Sequence, residues 1–258
     1  MRLVHLCRMA LPLLLIGANA QAITHGTLDG NKHPAVGALV DYGSSGTAYA
    51  YCTGTLISPT VLLTAAHCDP GVERVSVTFE SKVTNAAVIY VGRFVANPGY
   101  NQAQSDTKDI AVIVFDRPVP GITPARLPTL GLFDTLKSNG MLNDTLYTAV
   151  GFGGQERTFD NKGKPYIEYE DQREFAVSAF GALNPTWLRL SQNAATGNSG
   201  TCFGDSGGPN FIGGGSAETR VIAGTTITGD TQCVQGNVIY RLDTRSARAF
   251  LKPFVTLP

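Results

Sequence analysis

A serine set between glycines, in Gly204-Asp205-Ser206-Gly207-Gly208-Pro209, is the stretch of this chain best suited to chemistry. Glycines let such a turn tighten, expose the hydroxyl and aim backbone N–H groups at a ligand oxygen. A phosphate-binding turn would require a lysine and a following helix, whereas Pro209, Asn210 and Phe211 lead elsewhere. A serine hydroxyl is a weak nucleophile until a base takes its proton, and the base needs a third group to fix its tautomer. Among the histidines beyond residue 22, His67 directly follows a hydrophobic run and precedes Cys68, a potential disulfide anchor. His25 and His33 lie in a polar stretch without such support. Asp109 opens the otherwise apolar run Asp109-Ile110-Ala111-Val112-Ile113-Val114-Phe115. A carboxylate there is costly unless it has a partner. Together His67, Asp109 and Ser206 form a base, orienting acid and nucleophile set.

Other chemistries fit less well. Glu168 and Glu170, two apart on a predicted strand, share one face as a glycosidase pair would, but a solvated strand face is the simpler reading. An α/β-type esterase would place its histidine last in the triad; here histidine comes first. No two cysteines have zinc-knuckle spacing and His67 beside Cys68 gives a single adjacent ligand pair, so neither a metal nor another cofactor is expected.

The serine, histidine and aspartate must be held by a scaffold, and composition limits which. Charged residues make up 16% of the 258-residue chain and glycines number 29, a bias toward turn-rich β structure rather than helical bundles. Twenty basic residues balance twenty acidic ones, so no electrostatic footprint for nucleic acid is present. Arg2 and Arg8 precede an apolar run over 9–16 and then Gly17, Ala18, Ala20 and Ala22. This is the pattern of a secretory signal peptide over 1–22, and the run is too short to span a membrane. Cleavage after Ala20 or Ala22 satisfies the small-residue requirement. Secretion, to an extracellular or periplasmic space, is expected, with no membrane association after signal removal. The remaining chain keeps four cysteines, Cys52, Cys68, Cys202 and Cys233. An even number in an exported chain favours disulfides, with three connectivities open.

Runs of β-branched and aromatic residues over 35–40, 53–57, 61–64, 75–79, 86–94 and 110–115, bounded by turn residues, predict antiparallel strands in a sandwich or barrel. Proline-rich 117–143 reads as a connector. Strands are predicted again over 145–150, 166–179, 186–190, 221–227 and 237–242, with an exposed loop over 153–164. Asp243, as a candidate N-cap, precedes an apolar stripe at helical spacing that ends in a closing helix over about 243–254.

Thr64-Ala65-Ala66-His67-Cys68, Asp109-Ile110-Ala111 and Gly204-Asp205-Ser206-Gly207-Gly208-Pro209, in this order, resemble the motifs of chymotrypsin/trypsin-like serine endopeptidases. The resemblance extends to Val150-Gly151-Phe152-Gly153, Cys202, Tyr240 and the C-terminal helix. It implies an all-β fold of two six-stranded antiparallel barrels with a short C-terminal helix: one peptidase domain over 23–258, with barrels over about 23–125 and 140–242. It also implies Ser206 as nucleophile, His67 as base, Asp109 as orienting group, and the backbone N–H groups of Gly204 and Ser206 as an oxyanion hole. Disulfides Cys52–Cys68 and Cys202–Cys233 are implied, each worth about 3 kcal/mol in the chain-entropy model. Ile23, as a mature N-terminus paired with Asp205, would shape the oxyanion turn. Substrates would be proteins or peptides, and a monomer is expected.

Three departures mark this chain. The expected Ile-Val-Gly-Gly reads Ile23-Thr24-His25-Gly26, and Thr225-Thr226-Ile227-Thr228-Gly229 stands where Ser-Trp-Gly is usual. The loop from Gly229 to Cys233 is one residue longer than usual. The resemblance places Gly200 at the floor of the substrate pocket, with Thr201 and Gly229 beside it; the absence of charge there implies preference for an apolar or medium-sized residue before the scissile bond, unless the altered loop over 228–232 turns Asp230 inward. A catalytically silent homologue serving as a binding module is the second reading, and retention of all three catalytic types argues against it.

Overall fold

The computed structural model describes residues 23–103, 105–154 and 157–258. The expected signal peptide over 1–22 lies outside the described residues. A short edge strand, β1 (Thr27–Leu28), leads into β2 (Val36–Tyr42), β3 (Ala48–Ser58), β4 (Val61–Thr64), β5 (Arg74–Thr78), β6 (Tyr90–Ala96) and β7 (Ala111–Phe115). The last six close an antiparallel barrel in the order β2-β3-β4-β7-β6-β5. Inward-facing Leu39, Leu56, Leu62, Val77 and Ile113 fill it and are almost wholly buried; burying each such side chain stabilises by about 2 kcal/mol. Gly54 of β3 has no room for a side chain, because a Cβ would collide with Leu62.

The second half contains β8 (Leu146–Gly151), the two-residue hairpin strands β9 (Thr158–Phe159) and β10 (Pro165–Tyr166), β11 (Glu174–Leu183), β12 (Trp187–Ser191), β13 (Pro209–Ile212), β14 (Ile222–Gly229) and β15 (Gly236–Arg241). Six of these form the order β11-β12-β15-β14-β13-β8, and β11 also pairs with β8, closing a second barrel. β1 adds to the outer edge of β11. The two-barrel, all-β expectation is met, with only two short α-helices among the described residues, α1 (Leu132–Ser138) and α2 (Arg245–Leu251).

Several boundaries differ from the sequence expectations. The proline-rich connector contains α1, which is anchored by Asp243: its carboxylate accepts from Phe133 N at 3.0 Å and its carbonyl from Gly131 N at 2.9 Å. Asp243 therefore does not cap the closing helix. Thr244 does so, accepting from Ala247 N at 3.2 Å. The strand predicted over 166–179 begins only at Glu174, and Glu168 lies outside it on an exposed stretch. Strand β13 was hidden by the Gly-Gly-Pro sequence that opens it.

The segment 23–35 straps the barrels together. Arg173, fully buried just before β11, pairs with Asp29 at 2.8 Å and also donates to the carbonyls of Val36 and Phe79. His33 bonds Asp29 through Nδ1 and Glu218 through Nε2 at 2.7 Å, stacked against Phe211. Burial opposes its charge, but the two carboxylates prevail and raise its pKa to about 9.

Candidate active site

The strand β4 delivers its chain straight into a single helical turn, Ala66–Cys68, that carries His67. Cys68 at its end is bonded to Cys52 of β3, which fixes the turn against the barrel wall. Asp109 stands just before β7, which is paired with β4, so the barrel register sets aspartate beside histidine. Asp109 accepts twice from His67: Oδ1 from the backbone N–H at 3.0 Å and Oδ2 from Nδ1 at 2.8 Å. An ionised carboxylate only accepts, so Nδ1 is the donor in this bond, and Nε2 has no hydrogen-bond partner among the described residues. The imidazole is 29% exposed while Asp109 is buried.

Ser206 comes from the second barrel and lines the same cleft as His67, a cavity of about 870 Å³. Among the described residues no hydrogen bond joins the Ser206 hydroxyl to the imidazole; such bonds often tighten only when substrate is bound. The turn around Ser206 depends on its glycines. Gly204 adopts φ +98°, and a Cβ there would sit 2.9 Å from Gly153 Cα. Gly207 adopts φ +78°, and a Cβ there would collide with Thr64 Oγ1. Among the described residues neither the Gly204 nor the Ser206 N–H donates to another protein atom, so both remain available to a ligand oxygen.

Asp205 points the other way, into the protein. It is fully buried, with Oδ1 accepting from Gly153 N at 2.8 Å and Oδ2 from Cys202 N at 2.9 Å. Burial drives its pKa up to about 7 despite these two donors. Gly151 and Gly153 are glycines for the same reason: a Cβ on either would strike the Asp205 carboxyl group. Among the described residues no cationic side chain pairs with Asp205. Ile23 is buried, and Thr24 bridges Gly200, whose N–H donates to Thr24 O at 3.3 Å. Ile23 is thereby seated against the segment that leads to Asp205, though the two are not hydrogen-bonded. A Cβ on Gly26 would sit 2.8 Å from Glu174 Oε2 and 2.9 Å from Ile23 O, which accounts for the glycine in the altered N-terminal motif.

Of the expected pocket residues, Thr201 and Gly229 line the cleft, whereas Gly200 is not among its lining residues. A side chain on Gly200 would collide with Gln192. Gln192, nearly fully buried, clamps Thr201 by accepting from its N–H at 2.9 Å and donating to its carbonyl at 3.1 Å. Cys202–Cys233 ties this wall to the loop after β14. Asp230 lines the cleft, but its carboxylate accepts from the backbone N–H groups of Gln232, Val234, Gln235 and Gly236. Partial burial raises its pKa, and these four bonds outweigh that, holding the carboxyl below its ordinary value. Cys52, His67 and Cys68 lie close enough to suggest a metal site, yet both sulfurs are consumed in the disulfide and offer no thiolate.

Thr53 escaped the sequence reading. Wholly buried on β3, it accepts from Phe152 N at 3.2 Å and donates through Oγ1 to Gly204 O at 3.0 Å, while its own N–H donates to Ser206 O at 2.8 Å. One first-barrel residue thus fastens the serine turn of the second barrel.

A serine-bearing turn with two N–H groups unused among the described residues shares a cleft between the barrels with a histidine–aspartate pair, the side-chain set of a serine hydrolase. Residues 29–250 match the family model described as Trypsin, and the chain belongs to that family, a serine endopeptidase of trypsin-like fold. It is 31% identical over 172 residues to brachyurin of Leptuca pugilator, covering 62% of this chain and 70% of the relative. To the thrombin-like enzyme BjussuSP-1 of Bothrops jararacussu it is 29% identical, covering 70% and 75%. A solved collagenase structure superposes with a TM-score of 0.65 at 18% identity, covering 90% of this chain and 97% of the other; that likeness speaks for the fold. Protein or peptide substrates accompany family membership.

Proposed function

We propose that this chain is an exported, monomeric peptidase that cleaves through an acyl-enzyme at Ser206. The observation that carries the reading is the His67 Nδ1–Asp109 Oδ2 bond of 2.8 Å, on an imidazole that shares its cleft with Ser206. His67 Nε2 takes the Ser206 proton as Oγ adds to the substrate carbonyl carbon. The oxyanion that forms is received by the Gly204 and Ser206 N–H groups. Because that charge exists only in the tetrahedral intermediate, the donors lower the barrier without tightening ground-state binding. His67 then gives its proton to the departing amine, the C–N bond breaks, and Ser206 holds the acyl group as an ester. Water, deprotonated by His67, adds to that ester; the serine leaves with the proton and the product is a carboxylic acid.

Activation is proposed to follow signal cleavage after Ala22, which would give Ile23 a free α-ammonium. A fully buried carboxylate with two backbone donors calls for a cation, and Ile23 lies on the segment next to it. While Asp205 lacks that cation, its folded pKa of about 7 exceeds the ordinary 3.8, so stability falls as pH rises between those values. Once paired, the α-ammonium titrates above its reference of about 8; its contribution is full below that value and lost as pH rises through the higher folded one. Two disulfides support an oxidising destination. Intact mass and N-terminal sequencing of the secreted protein test the proposal: the active species should begin at Ile23, and an active species beginning at Gln21 refutes it.

The pocket before the scissile bond is proposed to be neutral. Gly200 offers no charge, Thr201 and Gly229 are uncharged, and the Asp230 carboxylate is committed to its own loop. Chromogenic peptides differing only at that residue should be cleaved faster with Phe, Leu or Ala than with Arg or Lys. The reverse order would make Asp230 a pocket acid.

A further inference from the structure

Besides the wall of Thr201 and Gly229, tied by Cys202–Cys233, the cleft that holds Ser206 has a second wall, joined by the Ala50 N–Asp171 bond and the Cys52–Cys68 disulfide. It is formed by Tyr49, Tyr51 and Asp69 of the first barrel and by Tyr169 and Asp171 ahead of β11. With the Thr201 wall proposed above to take the residue before the scissile bond, this second wall is left for the residues that depart with the amine. Three carboxylates line the cavity, and among the described residues it has no lysine or arginine in its wall. Asp230 spends its carboxylate on its loop, but Asp69 and Asp171 do not. Asp171 Oδ1 accepts from Ala50 N at 2.8 Å and Asp69 Oδ1 from Gly71 N at 2.8 Å, leaving the second oxygen of each without a hydrogen bond among the described residues. The Tyr51 hydroxyl is buried on this wall and has no hydrogen-bond partner among the described residues. Burial raises its pKa first, and the negative charges of Asp41 and Asp69 add to it. Of the neighbouring cations, Lys82 sits on a bridge to Gln172 outside the wall and Arg173 is buried against Asp29.

We propose that this half of the cleft is a subsite for a lysine or arginine side chain in the substrate segment after the scissile bond, with Asp69 and Asp171 attracting the charge and the tyrosines packing its stem and head. An ammonium or guanidinium is attracted both to carboxylates and to aromatic faces. A glutamate there would meet two like charges, and an aliphatic side chain would leave both acids without a partner. The proposal rests on the Ser206 reading above.

Internally quenched peptides test it, identical up to the scissile bond and carrying Arg, Leu or Glu at the first and second residues after it. A simple ester with no residues beyond the bond is assayed in parallel. Arg peptides should exceed Glu peptides by about tenfold in kcat/KM at low salt, from two contacts of roughly a few-fold each, with the gap narrowing as salt rises. The change should fall on KM rather than kcat. Asp171→Asn and Asp69→Asn keep the acceptor oxygens for Ala50 N and Gly71 N. Together they should bring the Arg:Glu ratio toward one, a ratio that cancels differences in active fraction between preparations. If the wild type hydrolyses the ester but treats Arg and Glu peptides alike, or if the double variant keeps the full ratio, the subsite assignment is wrong and the triad stands. If the ester itself is not hydrolysed, the Ser206 reading fails and the subsite falls with it.

Discussion

Two histidines in this chain are each bonded to an aspartate, and they are built for opposite ends. His67 gives Nδ1 to Asp109 and keeps Nε2 facing the cleft; its imidazole is 29% exposed. His33 spends both ring nitrogens, on Asp29 and Glu218, with its side chain only 9% exposed. An imidazolium fixed between two carboxylates has no vacancy for a proton and no path to a substrate, so it acts as a charged rivet. A base needs one nitrogen held and one free. Pairing with an aspartate therefore does not distinguish catalysis from architecture; the fate of the second nitrogen does.

The sharpest way to break this contrast is to remove each histidine in turn. His67→Ala and Ser206→Ala should each lower peptide hydrolysis by roughly three to six orders of magnitude, with the double variant little worse. His33→Gln should leave kcat/KM within a few-fold. If His33→Gln abolished turnover in folded protein, or His67→Ala spared it, the division of labour drawn here would be wrong.

Stability should sort the two the other way. His33→Gln removes the cation shared by Asp29 and Glu218, leaving Asp29 to Arg173 and Glu218 unpaired; it should cost about 3 kcal/mol in denaturant unfolding near neutral pH, whereas His67→Ala should cost little. The raised His33 pKa gives the sign. Its contribution is full below the unfolded value of 6.5 and disappears as pH rises through about 9. Wild type and His33→Gln should therefore converge in stability above that pH, and a constant gap through pH 10 would rule out the ionic origin.

A smaller effect is expected at Thr53, where the barrels meet at the serine turn. Thr53→Val keeps the shape but removes the hydroxyl that serves Phe152 N and Gly204 O; it should cost about 1–2 kcal/mol in stability and lower kcat more than it changes KM. Thr53→Ser should restore most of both. Equal loss in the serine variant would mean that packing of the methyl group, not the hydroxyl, holds the turn.

These residues also mark how far the sequence could be read. His67, Asp109 and Ser206 stand out as a candidate set because each sits in a short run whose local chemistry is unusual: a histidine after an apolar strand, an acid at the mouth of another, a serine among glycines. Strands β2, β4, β5 and β7 were legible from their β-branched runs. Strand β13 was not, since Pro209 and its glycines read as a turn until β8 and β14 flank them. Helix α1 hid among prolines because Asp243, far along the chain, supplies its anchor. Thr53 and Gln192 lack any local signature, and Thr53 meets Gly204 across a separation of 151 residues. In sequence His33 belongs to an unsupported polar stretch, because its partner Glu218 lies 185 residues away and only the folded barrels bring it near.

Under the proposed function, Ser206 is made nucleophilic by His67 and not merely exposed. Labelling with an active-site-directed fluorophosphonate, read by intact mass and peptide mapping, addresses it in one step. One adduct per chain on Ser206, unchanged in His33→Gln and lost or slowed by orders of magnitude in His67→Ala, is the predicted result. No adduct on folded mature protein, an adduct elsewhere, or labelling that proceeds unaltered without His67 would contradict it.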